Sequence, residues 1–336
     1  MSPTPIDLSA HGSVHATTWE TTGSCPLVLQ PAAACSASEW VAGNLDAVEA
    51  ALHEHGAMLF RGFSEREQSG LERFTNTLRL ELMHYVEGAT PRKQLGDHVY
   101  TSTEFPPEHA IALHNELSYV LTWPMKIIFF CVTAPEHGGE TPLADVRRVY
   151  ARIPLDIRAR FAAKGWMLVR NFGEGLGLTW QSAYRTTDRS ALETYAKEAR
   201  LTLEWRDEHR LRTRQVRPAI ARHPATGDTV WFNHVAFWHA SSLGSEFREL
   251  LVEEFGEDGL PYNTYYGDGS PIEDSVVEQL RAAYDAETVA FRWQQGDLLL
   301  ADNMLVAHGR RPFAGPRRII VSMGQPHTRD DFHAVV

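Results

Sequence analysis

Apolar residues follow two different spacings along the chain, and each spacing predicts one kind of element. Apolar positions three to four residues apart predict amphipathic helices, with capping residues and glycines marking their ends. The predicted helices cover 36–56, 64–82, 146–165 and 188–201. Runs rich in β-branched and aromatic residues predict buried strands. These runs cover 57–63, 98–105, 113–120, 124–135, 166–172, 226–239 and much of 287–326.

The order of these elements predicts a mostly β protein with helices on its flanks. The strands lie far apart in sequence, and no repeat or linker separates them, so we interpret 1–336 as a single domain. Its core is expected over roughly 40–325, preceded by an N-terminal extension, 1–35. Roughly 170–290 is expected to form an insertion or lid.

Charge and composition narrow the class of protein. The 336 residues include 32 Lys and Arg and 43 Asp and Glu, a formal net charge of −11. That balance disfavours a nucleic-acid partner, which attracts basic surfaces. No apolar run has the length of a membrane helix, no signal peptide is visible, and the three cysteines match no zinc pattern. We expect a cytoplasmic protein with reduced thiols, no membrane partner and a small-molecule substrate.

Two polar side chains interrupt the apolar run 111–120. His114 and Glu116 are two residues apart, so on a strand they project from one face. A polar pair satisfied within the core and two ligands of a metal centre both explain this pattern. His308 ends the apolar run 298–308 and supplies a third ligand type. Two histidines and one carboxylate form the facial triad that binds non-haem Fe(II) and leaves its other positions open.

An arginine at the head of a buried strand is the second signal. Arg318 precedes the apolar segment that follows His308. A cation is costly to bury unless an anion meets it, and arginine binds carboxylates through two parallel hydrogen bonds. Arg317 is the neighbouring alternative, because successive strand residues face opposite sides. The spacing from His308 favours Arg318 as the carboxylate clamp.

With these residues in this order, the chain resembles the Fe(II)/2-oxoglutarate-dependent oxygenases of the taurine dioxygenase and clavaminate synthase-like group. The resemblance covers roughly 40–325 and rests on His114, Glu116, GGETPLAD (138–145), His308 and Arg318. It implies a catalytic domain with a double-stranded β-helix, or jelly-roll, core. It also implies Fe(II) as cofactor and 2-oxoglutarate and O2 as co-substrates.

The same resemblance assigns roles to residues. His114, Glu116 and His308 are implied as the catalytic metal ligands, and Thr141 and Arg318 as the contacts to 2-oxoglutarate. Taurine dioxygenase carries a second arginine four residues after the co-substrate arginine; here that position is Ser322, which argues against taurine as substrate.

Two further features bear on the reaction. A carboxylate at position 116 argues against halogenation, because a halide needs that coordination position vacant. LHNELSY (113–119) and WFNHVAFWH (231–239) resemble the branch of the family that hydroxylates amino acids in peptide natural-product pathways. The implied activity is hydroxylation of an unactivated C–H in a small amino acid or derived metabolite, free or tethered to a carrier protein, in antibiotic biosynthesis.

Several polar residues are candidates for contacting the substrate. They are Asn233, Tyr100, Ser102, Thr103 and Ser322. Asn233 either lines the substrate cavity or belongs to a surface hairpin, and the sequence leaves both interpretations open. The same scaffold could also catalyse desaturation, epoxidation or cyclisation, and a non-catalytic metal-binding jelly-roll is a remoter alternative.

Overall fold

The computed structural model describes residues 14–19, 25–83, 87, 94–96, 98–102, 105–173 and 177–329. The α-helices are α1 Ala37–Ala42, α2 Leu45–His55, α3 Glu67–Thr77, α4 Val146–Arg152, α5 Leu155–Lys164, α6 Trp180–Tyr184, α7 Arg189–Glu198, α8 Val235–Trp238, α9 Ser245–Phe255 and α10 Asp274–Glu287. The strands are β1 Val14–Thr18, β2 Leu27–Pro31, β3 Ala57–Phe60, β4 Gln94–Gly96, β5 Val99–Thr101, β6 Ile111–His114, β7 Thr122–Thr133, β8 His137–Gly138, β9 Leu143–Asp145, β10 Trp166–Phe172, β11 Thr202–Trp205, β12 Leu211–Arg217, β13 Ile220–Arg222, β14 Thr229–Trp231, β15 Tyr262–Tyr266, β16 Thr288–Val289, β17 Leu298–Asp302, β18 Val306–Arg310, β19 Phe313–Ala314 and β20 Arg318–Thr328.

Two sheets form the jelly-roll core. The main sheet has the strand order β1-β2-β3-β17-β7-β20-β5-β4, and the smaller sheet has the order β16-β9-β18-β6. One apolar core contains residues of both sheets, and the rings of Phe129 on β7 and His308 on β18 lie 5.1 Å apart across it. The mostly β fold with flanking helices that the sequence predicts is therefore observed.

The main sheet is buried on both of its faces. Ile127, Phe129 and Cys131 of β7 point into the core between the sheets, which we call the inner core. Ile128 and Phe130 point to the opposite face, where α1, α2 and α3 cover them. Side chains alternate along a strand, so a strand covered on both faces reads as one continuous apolar run. This is why the sequence pattern shows no alternation here.

The described part of the N-terminal extension belongs to the main sheet. Strands β1 and β2 pair antiparallel, and β2 pairs parallel with β3. The Trp19 indole nitrogen donates to the carbonyl of Ala290 at 3.1 Å, and its ring contacts Phe291. This part of the extension therefore supports a segment that precedes the histidine-bearing strand β18.

The predicted insertion contains a third sheet. Strands β11, β12, β10 and β15 form it in that order, with α6 to α9 around it. Gln215 and Arg217 of β12 donate to the carbonyl of Tyr119, so this sheet contacts the segment after Glu116. The run 226–239, predicted as strand, instead ends as helix α8. None of the described helices has both the length and the apolar character that crossing a membrane demands.

Candidate active site

The three predicted metal ligands meet between the two sheets. His114 and His308 are direct partners in the β6–β18 pairing, and their ring centroids are 4.5 Å apart. Glu116 completes the group, with its Oε2 4.0 Å from His308 Nε2. One possible ligand atom from each residue lies within 4.8 Å of the others, and all three residues are buried.

Glu116 reaches this position from a turn, not from a strand as predicted. Strand β6 ends at His114, and residues 116–119 form a turn in which Leu117 has a φ of 56°. The buried amide of Asn303 holds the turn: its Oδ1 accepts the Glu116 N–H at 2.7 Å, and its Nδ2 donates to the Glu116 carbonyl at 2.8 Å. Asn115 donates in return to the Asn303 carbonyl at 2.7 Å. Both backbone groups of Glu116 are therefore fixed by one side chain.

The hydrogen bond of His114 sets its tautomer. Its Nδ1 lies 2.8 Å from the carbonyl oxygen of Ala112, which can only accept. The proton is therefore on Nδ1, and the lone pair is on Nε2, as metal-binding histidines require. Two imidazoles and a carboxylate, with a backbone carbonyl orienting one ring, fit Fe(II).

Aromatic rings pack against the outer side of His114. Phe237 and His234 of the α8 region lie 5.0 Å and 5.6 Å from its ring centroid. His234 is bonded to Ser118 at 2.6 Å. Burial, with a smaller electrostatic contribution from His114, holds the pKa of His234 well below its usual range. His234 is therefore neutral at physiological pH and adds no positive charge beside the metal site.

A cavity opens beside the triad, and it contains Arg317 in place of the predicted Arg318. Its walls include Ser102, His114, Phe129, Thr141, His308 and Arg317. Ile319 and Val321 point into the inner core, and Arg317 lies on that side too, because it lines the cavity together with His308 and Phe129. Arg318 is exposed to solvent, so the structure corrects the prediction of Arg318 as the carboxylate clamp.

Arg317 is held in place by neighbouring groups. Its Nε donates to the carbonyl of Gly139 at 3.0 Å, and its Nη1 donates to Ser102 Oγ at 3.3 Å. Burial, followed by repulsion from Arg310, lowers the pKa of Arg317 to about 10. Arg317 therefore stays charged at neutral pH, and a bound carboxylate would offset the cost of its burial.

The Gly-Gly turn brings Thr141 close to Arg317. Gly138 and Gly139 have φ values of 67° and 69°, and a Cβ on Gly138 would lie 2.1 Å from the carbonyl oxygen of Pro312. Only glycine permits this approach, which docks the hairpin before Arg317 onto the turn before Thr141. Thr141 is buried and lines the cavity, and its Oγ1 accepts a hydrogen bond from Trp293 Nε1 at 3.1 Å.

Arg310 was not singled out in the sequence, yet it lines the same cavity. Its guanidinium donates to the carbonyls of Phe105, Pro106 and His109. It therefore fixes the segment that leads into β6 and His114. A local sequence signal for this role is lacking, because the partners are backbone oxygens about 200 residues away.

The predicted substrate contacts divide into several groups. Ser102 lines the cavity. Tyr100 packs in the inner core and does not line the cavity. Ser322 follows the alternation of Ile320 to the outer face, and its Oγ donates to the carbonyl of His98, so the structure places it away from the cavity. Thr103 lies outside the described residues.

Asn233 is also corrected, because both ends of its amide are engaged in the backbone. Its Nδ2 donates to the carbonyl of Ala219 at 2.8 Å, and its Oδ1 accepts the N–H of Val235 at 2.9 Å. The residue is buried and supports the start of α8. It is neither exposed on a hairpin nor in the wall of the cavity.

A second cluster, His53, His223 and Asp302, has metal-like spacing but different chemistry. The Nδ1 of His223 accepts backbone N–H groups from Ala225 and Thr226. Its proton is therefore on Nε2, which donates to Asp302 Oδ2 at 3.1 Å. Binding a metal through Nε2 would require the lone pair that this proton occupies. This cluster is a structural hydrogen-bond network.

Fold and site together define an oxygenase with a jelly-roll core. The chain belongs to the taurine catabolism dioxygenase TauD, TfdA family, whose model matches residues 34–323. It is therefore a non-haem iron dioxygenase that depends on Fe(II), 2-oxoglutarate and O2. The predicted class of enzyme and its cofactors are confirmed.

Particular relatives agree with this assignment, and a solved structure has a similar fold. The chain is 40% identical to the dapdiamide synthesis protein DdaC of Enterobacter agglomerans over 279 residues, 83% of this chain and 85% of that protein. It is 32% identical over 286 residues to a clavaminate synthase-like protein of Arabidopsis thaliana, covering 82% and 83% of the two chains. The fold is similar to that of PvcB from Pseudomonas aeruginosa, with a TM-score of 0.55 and 19% identity over 93% of this chain and 91% of PvcB.

Proposed function

We propose that this enzyme hydroxylates an unactivated C–H bond of a small amino acid or amino-acid-derived metabolite, free or bound to a carrier protein, in natural-product biosynthesis. The observation that carries the proposal is a cavity lined by His114, His308 and the half-buried Arg317. Glu116 has a possible ligand atom within 4.8 Å of those of both histidines. The relative that acts in dapdiamide synthesis supports the biosynthetic setting.

Each residue of the cavity has a distinct task in this proposal. His114, Glu116 and His308 would hold Fe(II), and Arg317 and Thr141 would hold the distal carboxylate of 2-oxoglutarate. When bound, iron with 2-oxoglutarate and O2 supplies an oxidant that cleaves unactivated C–H bonds, with release of succinate and CO2. The protein positions the C–H bond and excludes water. Phe129 serves the second task, because its ring packs against His308 inside the cavity.

A cleft beside the cavity supports an amino-acid substrate. The cleft shares Ile111 and Arg310 with the cavity, and Phe237, which contacts His114, lines it. Arg281 and Asp285 line it one turn apart on α10. Among the described residues, the Arg281 guanidinium donates to the carbonyl of Ala236. The two charges complement the carboxylate and ammonium groups of an amino acid.

The test is substrate-dependent formation of succinate. The Fe(II) enzyme is incubated in air with 2-oxoglutarate and, in turn, free amino acids and carrier-bound amino acids. We expect one of them to raise succinate formation above the substrate-free rate and to gain one oxygen atom. Arg281→Ala should raise the KM for this compound and leave substrate-free succinate formation unchanged. The proposal is refuted if no amino acid in either form stimulates turnover.

Product composition separates hydroxylation from the other reactions of this scaffold. A product that loses two hydrogens indicates desaturation or cyclisation, and oxygen added across a substrate C=C indicates epoxidation. Either product would overturn hydroxylation. His308→Ala is the negative control, because loss of one imidazole ligand should abolish both iron binding and turnover.

A further inference from the structure

Trp293 contacts Thr141, which lies in the wall of the cavity beside the candidate metal ligands. The indole Nε1 of Trp293 donates to Thr141 Oγ1 at 3.1 Å, across 152 residues of sequence. Trp293 is 5% exposed and Thr141 is 2% exposed, so no bulk water competes for this hydrogen bond. Trp293 does not itself line the cavity.

The direction of this hydrogen bond fixes the direction of the threonine proton. A hydroxyl group has one proton to donate and two lone pairs, whereas an indole nitrogen can only donate. Thr141 Oγ1 therefore accepts from Trp293 and must direct its own proton elsewhere. Among the described residues no acceptor takes that proton. The remaining direction is the cavity that Thr141 lines.

Packing holds the indole in this orientation. Phe291 contacts Trp293 edge to face at 4.9 Å and contacts Trp19 in the same way at 5.8 Å. The guanidinium of Arg61 lies over the Trp19 and Phe291 rings and pairs with Asp297 at 2.7 Å. The ring that donates to Thr141 is therefore supported by Trp19 of the N-terminal extension and by residues that flank β3 and β17.

We infer that Trp293 is a positioning residue: it orients the Thr141 hydroxyl so that its proton is presented to the distal carboxylate of 2-oxoglutarate. The inference rests on the proposed role of Thr141 in the carboxylate clamp. A donor already aimed at an anion loses less rotational freedom on binding than a free rotor. Trp293 thus acts on the affinity for 2-oxoglutarate without touching it.

The test is a double-mutant cycle on binding. The dissociation constant of 2-oxoglutarate is measured anaerobically by calorimetry with the Mn(II)-loaded enzyme and by visible charge-transfer absorption with the Fe(II)-loaded enzyme. We expect Thr141→Val to weaken binding about tenfold and Trp293→Phe about 3-fold, within the range of one hydrogen bond. The double variant should bind as weakly as Thr141→Val alone, because Trp293 acts only through that hydroxyl.

Two further variants separate the N–H group from packing. Replacement of Trp293 by 3-benzothienylalanine keeps the bicyclic shape and removes the N–H, so it should match Trp293→Phe. Trp180→Phe is the matched control, because Trp180 is buried but its Nε1 has no partner among the described residues. It should bind 2-oxoglutarate as the wild type does.

The possible outcomes separate the role of Thr141 from that of Trp293. Unchanged binding in Thr141→Val overturns the proposed clamp role. Weaker binding in Thr141→Val with wild-type affinity in both Trp293 variants overturns the positioning role alone. If the losses of 2-oxoglutarate affinity in Thr141→Val and Trp293→Phe are equal and add in the double variant, Trp293 acts through packing and the inference is overturned. Wild-type affinity in the 3-benzothienylalanine variant would lead to the same conclusion.

Discussion

Two adjacent arginines, Arg317 just before β20 and Arg318 at its first position, should contribute very differently to 2-oxoglutarate binding. Arg317 lies in the cavity wall beside Thr141, whereas Arg318 is exposed to solvent. Hydrogen bonds to charged groups contribute about 1.5–3 kcal/mol. Since about 1.4 kcal/mol corresponds to a tenfold change in Kd, Arg317→Ala should weaken 2-oxoglutarate binding about 10- to 150-fold. The existing bonds of Arg317 to Gly139 and Ser102 pre-order its guanidinium, which favours the upper part of this range.

Arg318→Ala is the matched control. It removes the same number of atoms and the same charge one residue away. An exposed charge is screened by water and salt, so the change in Kd should stay below about threefold. Arg317→Lys should fall between these limits, because lysine keeps the charge but cannot form two parallel hydrogen bonds to a carboxylate.

The assay is anaerobic titration of the Fe(II) enzyme with 2-oxoglutarate, followed by its charge-transfer absorption. Thermal unfolding of each variant shows whether a loss of binding reflects a loss of folded protein. A strong loss in Arg318→Ala with near wild-type binding in Arg317→Ala would refute the placement of Arg317 in the cavity. Equal losses in both would show that long-range charge, and not a directed contact, governs binding.

Three further predictions concern the support of the site and the pH dependence of stability. Asn303→Leu removes both bonds to the Glu116 backbone and should weaken Fe(II) binding about 10- to 100-fold, as measured by metal titration. The hydrogen bond to Glu49 raises the pKa of His53 above 6.5, so its stabilisation is complete below that pH and is lost as pH rises through the folded-state pKa. His53→Gln should therefore reduce the fall in Tm between about pH 6 and pH 8. A Cβ at Gly309 would lie 2.6 Å from a backbone oxygen of β6, so Gly309→Ala should separate the two metal-binding strands and weaken Fe(II) binding.

Each of these predictions has a control within the chain. Asn44→Leu removes another buried amide, far from the site in sequence, and should leave iron affinity unchanged. His15→Gln removes the imidazole of an exposed histidine and controls for the loss of a histidine as such. Gly43→Ala adds a Cβ that meets its nearest atom at 3.7 Å, an ordinary contact. Wild-type iron affinity in Asn303→Leu or Gly309→Ala would contradict the support that we assign to these residues.

The three candidate ligands that meet in the structure could be named from the sequence even though one local prediction was wrong. Alternation along a strand placed His114 and Glu116 on one face, but the strand ends at His114 and Glu116 follows in a turn. The two side chains converge because Asn303 folds that turn back onto β6. Sequence order identified which residues meet, and the tertiary contact determines how they meet.

The choice between Arg317 and Arg318 shows where the pattern carries no information. Alternating polarity distinguishes inward-facing from outward-facing residues only when one face of a strand is exposed to solvent. In β20, Ile319 and Ile320 pack on opposite faces and both are buried. The apolar run therefore does not show which residues face inward. The spacing from His308 favoured Arg318, which is the exposed arginine.

The residues that orient the site could not be predicted from the sequence pattern at all, and the reason is chemical. A metal ligand must be one of a few side-chain types, so a histidine or glutamate in an apolar run is conspicuous. An orienting group needs only a donor or an acceptor at the correct place, and here a backbone carbonyl of Ala112, the amide of Asn303 and the indole of Trp293 serve. Asn303 and Trp293 reach their partners across 187 and 152 residues, so no local spacing signals them. Chemistry restricts the ligands to recognisable residues, while the fold alone selects the groups that hold them, and those groups become visible only when the sheets are assembled.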